Sequence, residues 1–483
     1  MAKWTRRASG HPVLAGLLVS LSPCLLIGLT TPALVVSPTA ATAGGQTEGS
    51  DWPRFLGPLG TSVSTEKGII SPWPQEGLRL VWQRKLGTGY GAPSIAAGKL
   101  YVFDRDLEQV VIDGKVRYRE SKNARLVCLD ARTSKEHWSF KYPTDYRDFY
   151  GYNNGPRCCP VIDGDRVYTY GAEGIIHCLK ADSGERIWNV DTAAQFGVVQ
   201  NFFGVGSTPV VEGDLLIAVV GGSPPGSDPR EFLELKGNKS AIVAFDKFTG
   251  KIRYRISDEL AGYAGPVLAT INGRRLCLAF CRGGLLAFDP ADGKIDLHFP
   301  WRSPDLESVN ASNPVVVGDQ VLISECYGPG GVLLKLQPGK AEVVWSDAKK
   351  PKTQKSLMCH WMTPIHHEGY VYGCSGRNTA DATLRCVELA TGKVMWSEPR
   401  LTRSSLLMAD GHFICLSEDG MLRMLKVNPK KYDLVSELDV IDPRTKRPLL
   451  DYPCWAAPVL SHGLLYVRGE DQLVCLELIP QKK

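Results

Sequence analysis

Short apolar runs alternate with turn residues along almost the whole chain. The stretch Cys159 to Trp188 shows this pattern most completely, with apolar runs at Arg166 to Tyr170 and Ile175 to Leu179 and a turn at Gly164 between two of its segments. Apolar and β-branched runs of this length, separated by Gly, Asp and Ser, indicate antiparallel strands rather than helices. The stretch is therefore predicted to be one structural unit of several strands.

The same unit recurs along the chain. A proline followed directly or one residue later by an aliphatic residue opens seven copies, and Ser405-Leu406 opens a degenerate eighth; the prolines are Pro93, Pro160, Pro209, Pro266, Pro314, Pro364 and Pro458. The closing segment also recurs, as LDARTSKEHW (129–138), FDKFTGKIRY (245–254), FDPADGKIDL (288–297) and ELATGKVMW (388–396). Repeats of roughly 40 to 60 residues with several strands each are typical of β-propeller blades. We therefore predict an all-β, eight-bladed β-propeller.

The two ends of the chain predict how the ring closes. The eighth unit, Ala457 to Leu478, ends before any closing tryptophan strand, whereas Leu78 to Leu86 resembles such a strand without a unit of its own. We predict that this N-terminal strand, with Trp82 in the tryptophan position, completes the last blade beside residues 472–478. Closure of this kind covers strand edges that would otherwise pair with another chain.

Composition is consistent with one folded ring. The 483 residues are 43% hydrophobic and 22% charged, which is enough to bury a large core. We predict that residues 78–479 form the propeller and that residues 44–77, rich in Trp, Pro and Gly, form an extension packed on it by aromatic rings. The formal charge is +5, of which three positive charges belong to Lys3, Arg6 and Arg7, so bulk charge gives no support to nucleic-acid binding.

Residues 1–43 have the form of a secretory signal peptide. A basic start precedes an apolar run from Val13 to Val36, and the small residues Ala41-Thr42-Ala43 precede Gly44. We expect cleavage near Gly44 and an exported protein, periplasmic or extracellular. The alternative is an uncleaved membrane anchor, because the apolar run is long for a signal. Membrane contact is expected only through this leader.

The fourteen cysteines include a recurring set on the third strand of the unit. Cys128, Cys178, Cys386 and Cys475 each precede Leu or Val. We interpret them as small buried apolar side chains, since cysteine is among the residues most often buried.

Amide, basic and aromatic residues concentrate in the loops that precede the first strand of each unit. The first strands of propeller blades line the central channel, so these loops converge at one mouth of it. They contain Tyr90, Asn153, Asn154, Arg157, Cys158, Cys159, Asn201, Phe202, Phe203, Tyr263, Asn310, Asn313, His360, Trp361, Arg403, Ser404 and Trp455. Convergent polar groups with aromatic walls predict a binding site for a ligand or a partner. The alternative is that the Asn and Arg side chains only satisfy backbone groups at strand ends.

The repeated closing phrase Asp-x-x-Thr-Gly-Lys-x-x-x-Trp resembles the tryptophan-docking repeat of pyrroloquinoline quinone (PQQ)-type propellers. The resemblance covers about residues 78–478, and Trp138, Trp188, Trp345 and Trp396 carry it. It implies two kinds of relative. Quinoprotein alcohol dehydrogenases hold the quinone and a calcium ion in the channel mouth, whereas the propeller of the outer-membrane assembly machinery is a scaffold without a cofactor.

Some residues match the dehydrogenases. The adjacent Cys158 and Cys159 stand where these enzymes carry a vicinal disulfide against the quinone. Glu325 is the candidate catalytic carboxylate and calcium ligand, and Asn310 or Asn313 would supply an amide. The resemblance also implies that Arg157 or Arg403 would stabilise anionic quinone oxygens.

Other features depart from the dehydrogenase pattern. The residues singled out in the mouth loops include no Asp or Glu, no catalytic aspartate can be carried over, and the chain has no Cys-x-x-Cys-His haem motif. We therefore favour a non-enzymatic, exported scaffold that binds a ligand or a protein partner at the mouth, with no cofactor assigned. A PQQ- and calcium-dependent alcohol dehydrogenase is the alternative, and a propeller hydrolase or lyase is a third hypothesis. A neutral or anionic ligand, or an acidic segment of a partner, would be held by Arg157 and Arg403 with stacking on Trp361 and Trp455.

Overall fold

The computed structural model describes residues 49–199, 202–228, 231, 233–305 and 308–481. These residues form eight four-stranded antiparallel sheets, arranged as the blades of a propeller. The prediction of an all-β, eight-bladed propeller is confirmed. The predicted signal peptide, residues 1–43, lies outside the described residues.

The strands follow the repeat units of the sequence. β1 (Leu80–Lys85) is the first strand of the chain. Blade 1 contains β2 (Ser94–Ala96), β3 (Lys99–Ile112), β4 (Lys115–Asp130) and β5 (Glu136–Pro143). Blade 2 contains β6 (Val161–Asp163), β7 (Arg166–Tyr170), β8 (Ile175–Lys180) and β9 (Arg186–Asp191). Blade 3 contains β10 (Val210–Glu212), β11 (Leu215–Val219), β12 (Ile242–Asp246) and β13 (Ile252–Ile256). Blade 4 contains β14 (Val267–Ile271), β15 (Arg274–Phe280), β16 (Gly284–Phe288) and β17 (Ile295–Pro300).

The second half of the ring has the same order. Blade 5 contains β18 (Val315–Val317), β19 (Gln320–Ser324), β20 (Gly331–Gln337) and β21 (Lys340–Ser346). Blade 6 contains β22 (Ile365–His367), β23 (Tyr370–Ser375), β24 (Thr383–Glu388) and β25 (Val394–Pro399). Blade 7 contains β26 (Ser404–Ala409), β27 (His412–Ser417), β28 (Leu422–Lys426) and β29 (Leu434–Leu438). Blade 8 contains β30 (Val459–Ser461), β31 (Leu464–Arg468), β32 (Gln472–Glu477) and β1.

Helical structure is minor in the described part of the chain. α1 (Thr192–Phe196) is a single turn whose N-terminal cap is Asp191; the Asp191 carboxylate accepts a hydrogen bond from the amide of Ala194 at 2.9 Å. A 3-10 turn spans Lys352–Gln354. Neither of these helices has the length and apolar character that a bilayer span requires.

The N-terminal strand closes the ring as predicted. β1 pairs antiparallel with β32, and Trp82 lies opposite Cys475. The Trp82 indole donates a hydrogen bond to the carbonyl of Ala131 in blade 1 at 3.0 Å, and its side chain is 8% exposed. The last blade therefore consists of strands from both ends of the described chain, which leaves no open edge at the junction.

A repeated tryptophan joins several of the blades to the next one along the ring. Trp138 of blade 1 donates to the carbonyl of Ala181 in blade 2 at 3.2 Å, and its ring lies over Gly184 of the same turn. Trp345 of blade 5 does the same with Leu389 and Gly392 of blade 6, at 2.7 Å. A side chain at either glycine would collide with the indole. The glycine turn of one blade and the tryptophan of the preceding blade therefore have to fit each other closely.

Residues 51–64 cross the channel beneath its mouth. Trp52 is 1% exposed and pairs with Ile95 of blade 1, while Val63 pairs with Met408 of blade 7. Phe55, between these two anchors, faces the channel and contributes to the cavity at the mouth. This segment therefore forms part of the floor of that cavity.

The thirteen described cysteines are all buried free thiols. The recurring set on the third strands, Cys128, Cys178, Cys386 and Cys475, is fully buried, so its interpretation as a set of small apolar side chains is confirmed.

Candidate binding site at the channel mouth

The loops that precede the inner strands enclose a cavity of about 180 Å³. Nine of the residues predicted in these loops line it, namely Tyr90, Arg157, Cys159, Phe203, Tyr263, His360, Trp361, Arg403 and Trp455. Phe55, Tyr90, Tyr152, Phe203 and Tyr263 complete its aromatic walls. The cavity thus has several aromatic rings and few polar groups, as small-molecule sites commonly do.

Trp455 stands at the centre of the aromatic wall. Its ring centroid lies 4.7 Å from that of Tyr90, 5.0 Å from Trp361 and 5.5 Å from Tyr152, and each pair is tilted or edge-to-face. These distances are within the range of favourable aromatic pairs. The contacts fix the walls of the cavity before any ligand enters.

Arg403 is held in place by a buried carboxylate. Its Nη2 lies 2.6 Å from Oε2 of Glu418, which is 1% exposed, and its guanidinium lies 4.6 Å from the centre of the Trp361 ring. Trp455 donates its indole N–H to Glu418 at 2.9 Å, and Thr379 donates its hydroxyl at 2.7 Å. Burial alone would raise the pKa of Glu418, but the hydrogen bonds from Arg403, Trp455 and Thr379 outweigh it and hold this pKa below its usual value.

Arg157 has an equivalent partner on the other side of the cavity. Its Nη2 forms an ion pair with Asp148, whose side chain is fully buried. Asp148 also accepts hydrogen bonds from the amides of Tyr150 at 2.9 Å and Tyr152 at 3.2 Å. The Arg157 guanidinium lies 5.4 Å from the centre of the Tyr90 ring.

The two ion pairs make the cavity lining nearly neutral, which corrects the expectation of a basic mouth without acidic groups. Asp148 lies only nine residues before Arg157 in the same loop. Glu418 follows the second strand of blade 7, the repeat position that Glu325 occupies in blade 5. The repeat alignment therefore contained a signal for Glu418, which was missed because only the loops before the inner strands were searched.

His360 is a neutral member of the wall. Burial, followed by repulsion from Arg403 and Arg377, lowers its pKa to about 3. Its Nε2 lies 3.0 Å from the hydroxyl of Tyr327, and its ring centroid lies 4.7 Å from that of Trp361. His360 therefore contributes polarity and ring surface but no positive charge near neutral pH.

Four of the five predicted asparagines lie outside the cavity wall and bind backbone or neighbouring side chains; the fifth, Asn201, lies outside the described residues. Asn153 accepts from the amide of Gly155 at 3.0 Å, and the Asn154 side chain donates to Glu120 at 2.5 Å. Asn313 accepts from the amide of Gly265 in the next blade at 2.8 Å. For these side chains the structure favours the alternative interpretation, in which amides satisfy groups at strand ends.

Asn310 and Glu325 have structural partners as well. Asn310 is fully buried and donates to the carbonyls of Cys281 at 2.8 Å and Trp301 at 3.0 Å. The Glu325 carboxylate accepts from the amides of Tyr327 at 2.8 Å and Gly328 at 2.7 Å. Both side chains lie away from the cavity lining.

These donors do not fit a calcium site. Calcium requires six to eight oxygen ligands, several of them charged. Both carboxylate oxygens of Glu325 already accept backbone hydrogen bonds, and Asp148 and Glu418 are paired with arginines. Within the part of the chain that the structure describes, no three His, Cys, Asp or Glu side chains converge to share a metal ion.

The adjacent cysteines face different surroundings. Cys159 lines the cavity, while Cys158 packs in the apolar core between blades 2 and 3. Burial raises the pKa of the Cys159 thiol to about 12, and burial together with the neighbouring Cys159 raises the pKa of the Cys158 thiol well above its usual value. Both side chains are free thiols in the structure and are protonated at neutral pH.

Comparison with known protein families identifies the group to which the fold belongs. A family model described as outer membrane protein assembly factor BamB matches residues 122–398, more than half of the chain. The chain belongs to this family.

Two characterised relatives of this BamB-family chain differ in function. It is 18% identical over 293 residues to the outer membrane protein assembly factor BamB of Yersinia pestis, a match that covers 60% of this chain and 67% of that protein. It is 26% identical over 160 residues to the quinohemoprotein alcohol dehydrogenase ADH-IIG of Pseudomonas putida, covering 32% of this chain and 20% of the enzyme. The relatives therefore include both an outer membrane protein assembly factor and a quinohemoprotein alcohol dehydrogenase.

Similar chains among the solved structures include another BamB and another quinohemoprotein alcohol dehydrogenase. BamB of Moraxella catarrhalis has a TM-score of 0.41 at 14% identity, with 83% of this chain and 99% of that chain covered. The quinohemoprotein alcohol dehydrogenase of Comamonas testosteroni has a TM-score of 0.45 at 16% identity, with 91% and 82% covered.

Proposed function

We propose that this protein is an exported, non-enzymatic propeller that binds a ligand or a partner protein in the cavity at its channel mouth. The observation that carries the proposal is the aromatic cavity, in which the two guanidiniums are already paired with buried carboxylates. Such a site offers ring surface and little net charge. The group it suits best is a neutral, planar one, such as an aromatic ring of a small molecule or of a partner side chain.

This conclusion revises the type of ligand expected from sequence. An anionic ligand would have to compete with Asp148 for Arg157 and with Glu418 for Arg403, and both carboxylates are buried in contact with their arginine. Displacing either one would leave an unpaired buried charge, which is strongly unfavourable. A neutral ring can instead stack on Trp361 and Trp455 without disturbing either pair.

The rim of the cavity favours a protein as the occupant. Phe149, Tyr150, Tyr152 and Tyr452 are between 45% and 67% exposed. Tyr152 and Tyr452 both contact Trp455, so the exposed rings continue the wall of the cavity outward. Exposed tyrosines and phenylalanines grouped around a pocket are typical of protein-binding surfaces. The relation to an outer membrane protein assembly factor is consistent with a partner-binding role.

A titration with p-cresol, the side-chain analogue of tyrosine, tests the proposal. Ligand-observed NMR should show saturable binding at one site, and Trp361→Ala should weaken the affinity by at least about tenfold because it removes one wall. Phe248→Ala is the control: Phe248 is 40% exposed, lies in the turn between the outer strands of blade 3 and is not part of the cavity lining. Non-saturable binding, or equal losses in the two variants, would refute the proposed site.

The PQQ-dependent alcohol dehydrogenase remains a second hypothesis because Cys159, next to Cys158, lines a cavity whose walls suit a planar ring. The carboxylates do not fit its chemistry, because abstraction of a proton from an alcohol needs an available base and the described carboxylates near the cavity are engaged. We expect no calcium-dependent alcohol oxidation when PQQ, calcium and an artificial electron acceptor are supplied. Oxidation that disappears in Glu325→Ala would establish the dehydrogenase instead.

Export is part of the proposal and rests on the leader sequence. Ala41-Thr42-Ala43 before Gly44 predicts the cleavage site. The intact mass of the protein recovered from an exporting host should correspond to a chain beginning near Gly44. Recovery of the whole leader on a membrane-bound product would contradict cleavage.

A further inference from the structure

A second, smaller cavity of about 30 Å³ lies beside the first, between blades 3 and 4. Gly206 and Tyr263 line both cavities, so the Tyr263 ring separates them. Arg282, in the loop between β15 and β16, also lines the small cavity. A space of this size accommodates a group of a few atoms rather than a whole ligand.

Arg282 is buried without a hydrogen-bond acceptor. It is 3% exposed, and within the described residues neither its Nε nor its Nη2 has a hydrogen-bond partner. The same two atoms of the nearby Arg302 are also buried and without a partner among those residues. Nε and Nη2 form the edge of a guanidinium that grips a carboxylate with two parallel hydrogen bonds. Each of the two arginines therefore has this edge without a hydrogen-bond partner among the described residues.

Among the described residues, Glu259 is the carboxylate whose charge acts on both arginines, and it occupies neither edge. Glu259 accepts from the amide of Gly283 at 2.8 Å through Oε2, and its Oε1 lies 2.7 Å from Nε2 of His298. Its negative charge acts on both arginines but gives neither of them a hydrogen bond. Two guanidiniums and one carboxylate leave one net positive charge when His298 is neutral.

Other buried arginines in the described chain donate to backbone carbonyls, although Nε of Arg468 is also without a partner there. Arg468, 1% exposed, donates to the carbonyls of Gly91 at 2.7 Å and Gly87 at 3.1 Å. Arg105, also 1% exposed, donates to the carbonyls of Ser121 and Tyr146, both at 2.8 Å. A structural role for a buried arginine thus comes with backbone acceptors, which Arg282 lacks. Burial, followed by repulsion from Arg302, lowers the pKa of Arg282 to about 10.

We propose that Arg282, supported by Arg302, binds a carboxylate group in the small cavity between blades 3 and 4. One carboxylate matches the guanidinium edge in shape, neutralises the single excess charge and fits a cavity of about 30 Å³. The proposal does not depend on what the larger cavity binds, because it concerns a separate group of residues behind Tyr263.

Thermal unfolding in different salts tests the site without any variant. At equal ionic strength, acetate should raise the unfolding midpoint of the wild-type protein over its value in chloride by ~2 °C and in a saturable manner, because it binds only the folded state. Phosphate should give a smaller rise, since its shape and charge match the site less well. Equal midpoints in acetate and chloride would overturn the proposal, and a larger effect of phosphate would overturn the assignment to carboxylate.

Variants then locate the effect. In Arg282→Gln the acetate-dependent rise should vanish, while the midpoint in chloride stays the same or increases, because an unpaired buried charge has been removed. A merely structural arginine would instead lower the midpoint in chloride. Arg253→Gln, which removes a 54% exposed charge from the outer strand of blade 3, is the matched control and should keep the rise. Persistence of the rise in Arg282→Gln, or its loss in the control, would refute the site.

Two further arms complete the experiment. If Arg282→Gln does not fold, Arg302→Gln gives the same comparison, with loss of the acetate effect expected and its retention contradicting the proposal.

Acetyl-dialanine and its C-terminal amide separate the sources of the carboxylate. Binding of the free acid comparable to acetate would assign the site to a peptide terminus, and binding of acetate alone would assign it to a small molecule; equal binding of the amide would overturn the carboxylate site.

Discussion

At the scale of single residues, Glu418 has the largest influence on the mouth. It is bound by three side chains at once, the Arg403 guanidinium, the Trp455 indole and the Thr379 hydroxyl. Two of these side chains line the cavity, so the shape of the wall depends on a residue that does not itself line it. The same holds for Asp148, which fixes Arg157 from behind.

Glu418→Gln should therefore destabilise the fold. Removing one partner of a buried ion pair leaves the other charge uncompensated, and we expect a loss of about 3 kcal/mol in the free energy of unfolding. Glu437→Gln is the control in the same blade: Glu437 is 48% exposed and pairs with Arg423 at 2.8 Å, so its loss should cost less than about 1 kcal/mol. Denaturant unfolding measures both free energies. Equal losses would show that the buried Glu418–Arg403 pair contributes no more to stability than the partly exposed Glu437–Arg423 pair.

The pH dependence of the stability lost in Glu418→Gln follows from the sign of the shift in the pKa of Glu418. Glu418 has a lowered pKa in the folded protein, against a usual value of 4.5. Its contribution is therefore present above that value and is lost as the pH falls through the folded pKa. The gap in unfolding midpoint between the wild type and Glu418→Gln should narrow between about pH 5 and pH 3. A constant gap over this range would contradict an ionised Glu418.

The paired arginines also change an expectation from sequence. Since Arg157 and Arg403 were expected to hold a ligand or an acidic segment of a partner, replacing both would be the obvious test of that role. Because Asp148 and Glu418 are buried, that double replacement would leave two uncompensated carboxylates. It should lower stability as well, which is why the binding test uses Trp361 instead.

At the scale of elements, several blades depend on the fit between a tryptophan and the glycine turn of the next blade. Gly392 has φ +70°, and a Cβ on it would lie 2.7 Å from Cδ2 of Trp345. Gly411 has nearly the same φ, +71°, and a Cβ there would meet nothing within 4 Å. Substitutions at these two glycines therefore distinguish the cost of backbone strain, which both share, from the cost of a collision with the indole, which only Gly392 adds.

Gly392→Ala should destabilise the protein more than Gly411→Ala. Both substitutions impose a left-handed conformation on alanine, at a cost of about 1 to 2 kcal/mol. Gly392→Ala adds a collision with the indole, which should cost about 1 to 3 kcal/mol more. Denaturant unfolding of the two variants measures the difference. Equal losses would mean that the tryptophan does not need the glycine.

The closing strand is the second element with a specific prediction. Trp82→Ala should cost about 3 to 5 kcal/mol, because it removes a buried indole and its hydrogen bond to Ala131. Lys85→Ala, in the same strand and 44% exposed, should cost under about 1 kcal/mol. Denaturant unfolding provides the test. A loss near zero for Trp82→Ala would show that β1 does not hold the ring closed.

At the scale of the whole molecule, the sequence predicts the ring far better than it predicts the site. The repeat recurs in every blade and its tryptophan in five of the eight, so the blade number and the closure through Trp82 followed from the repeats. The site depends instead on pairs such as Arg403 with Glu418. Arg403 precedes the inner strand of blade 7, whereas Glu418 follows the second strand of that blade. Asparagines were ambiguous for a related reason: Asn313 binds a neighbouring backbone, and no local pattern separates that role from ligand binding.

The central claim is that the mouth cavity binds a neutral ring, and a comparison of p-toluamide with p-toluate tests it most directly. The two molecules have nearly the same shape and differ by one negative charge. Because Arg157 and Arg403 are already paired with Asp148 and Glu418, NMR titration should give an affinity for the neutral amide at least about tenfold higher, since the carboxylate must be desolvated without a free partner. A preference for p-toluate that is lost when either arginine is replaced would show that the guanidiniums are available to the ligand and would contradict the account.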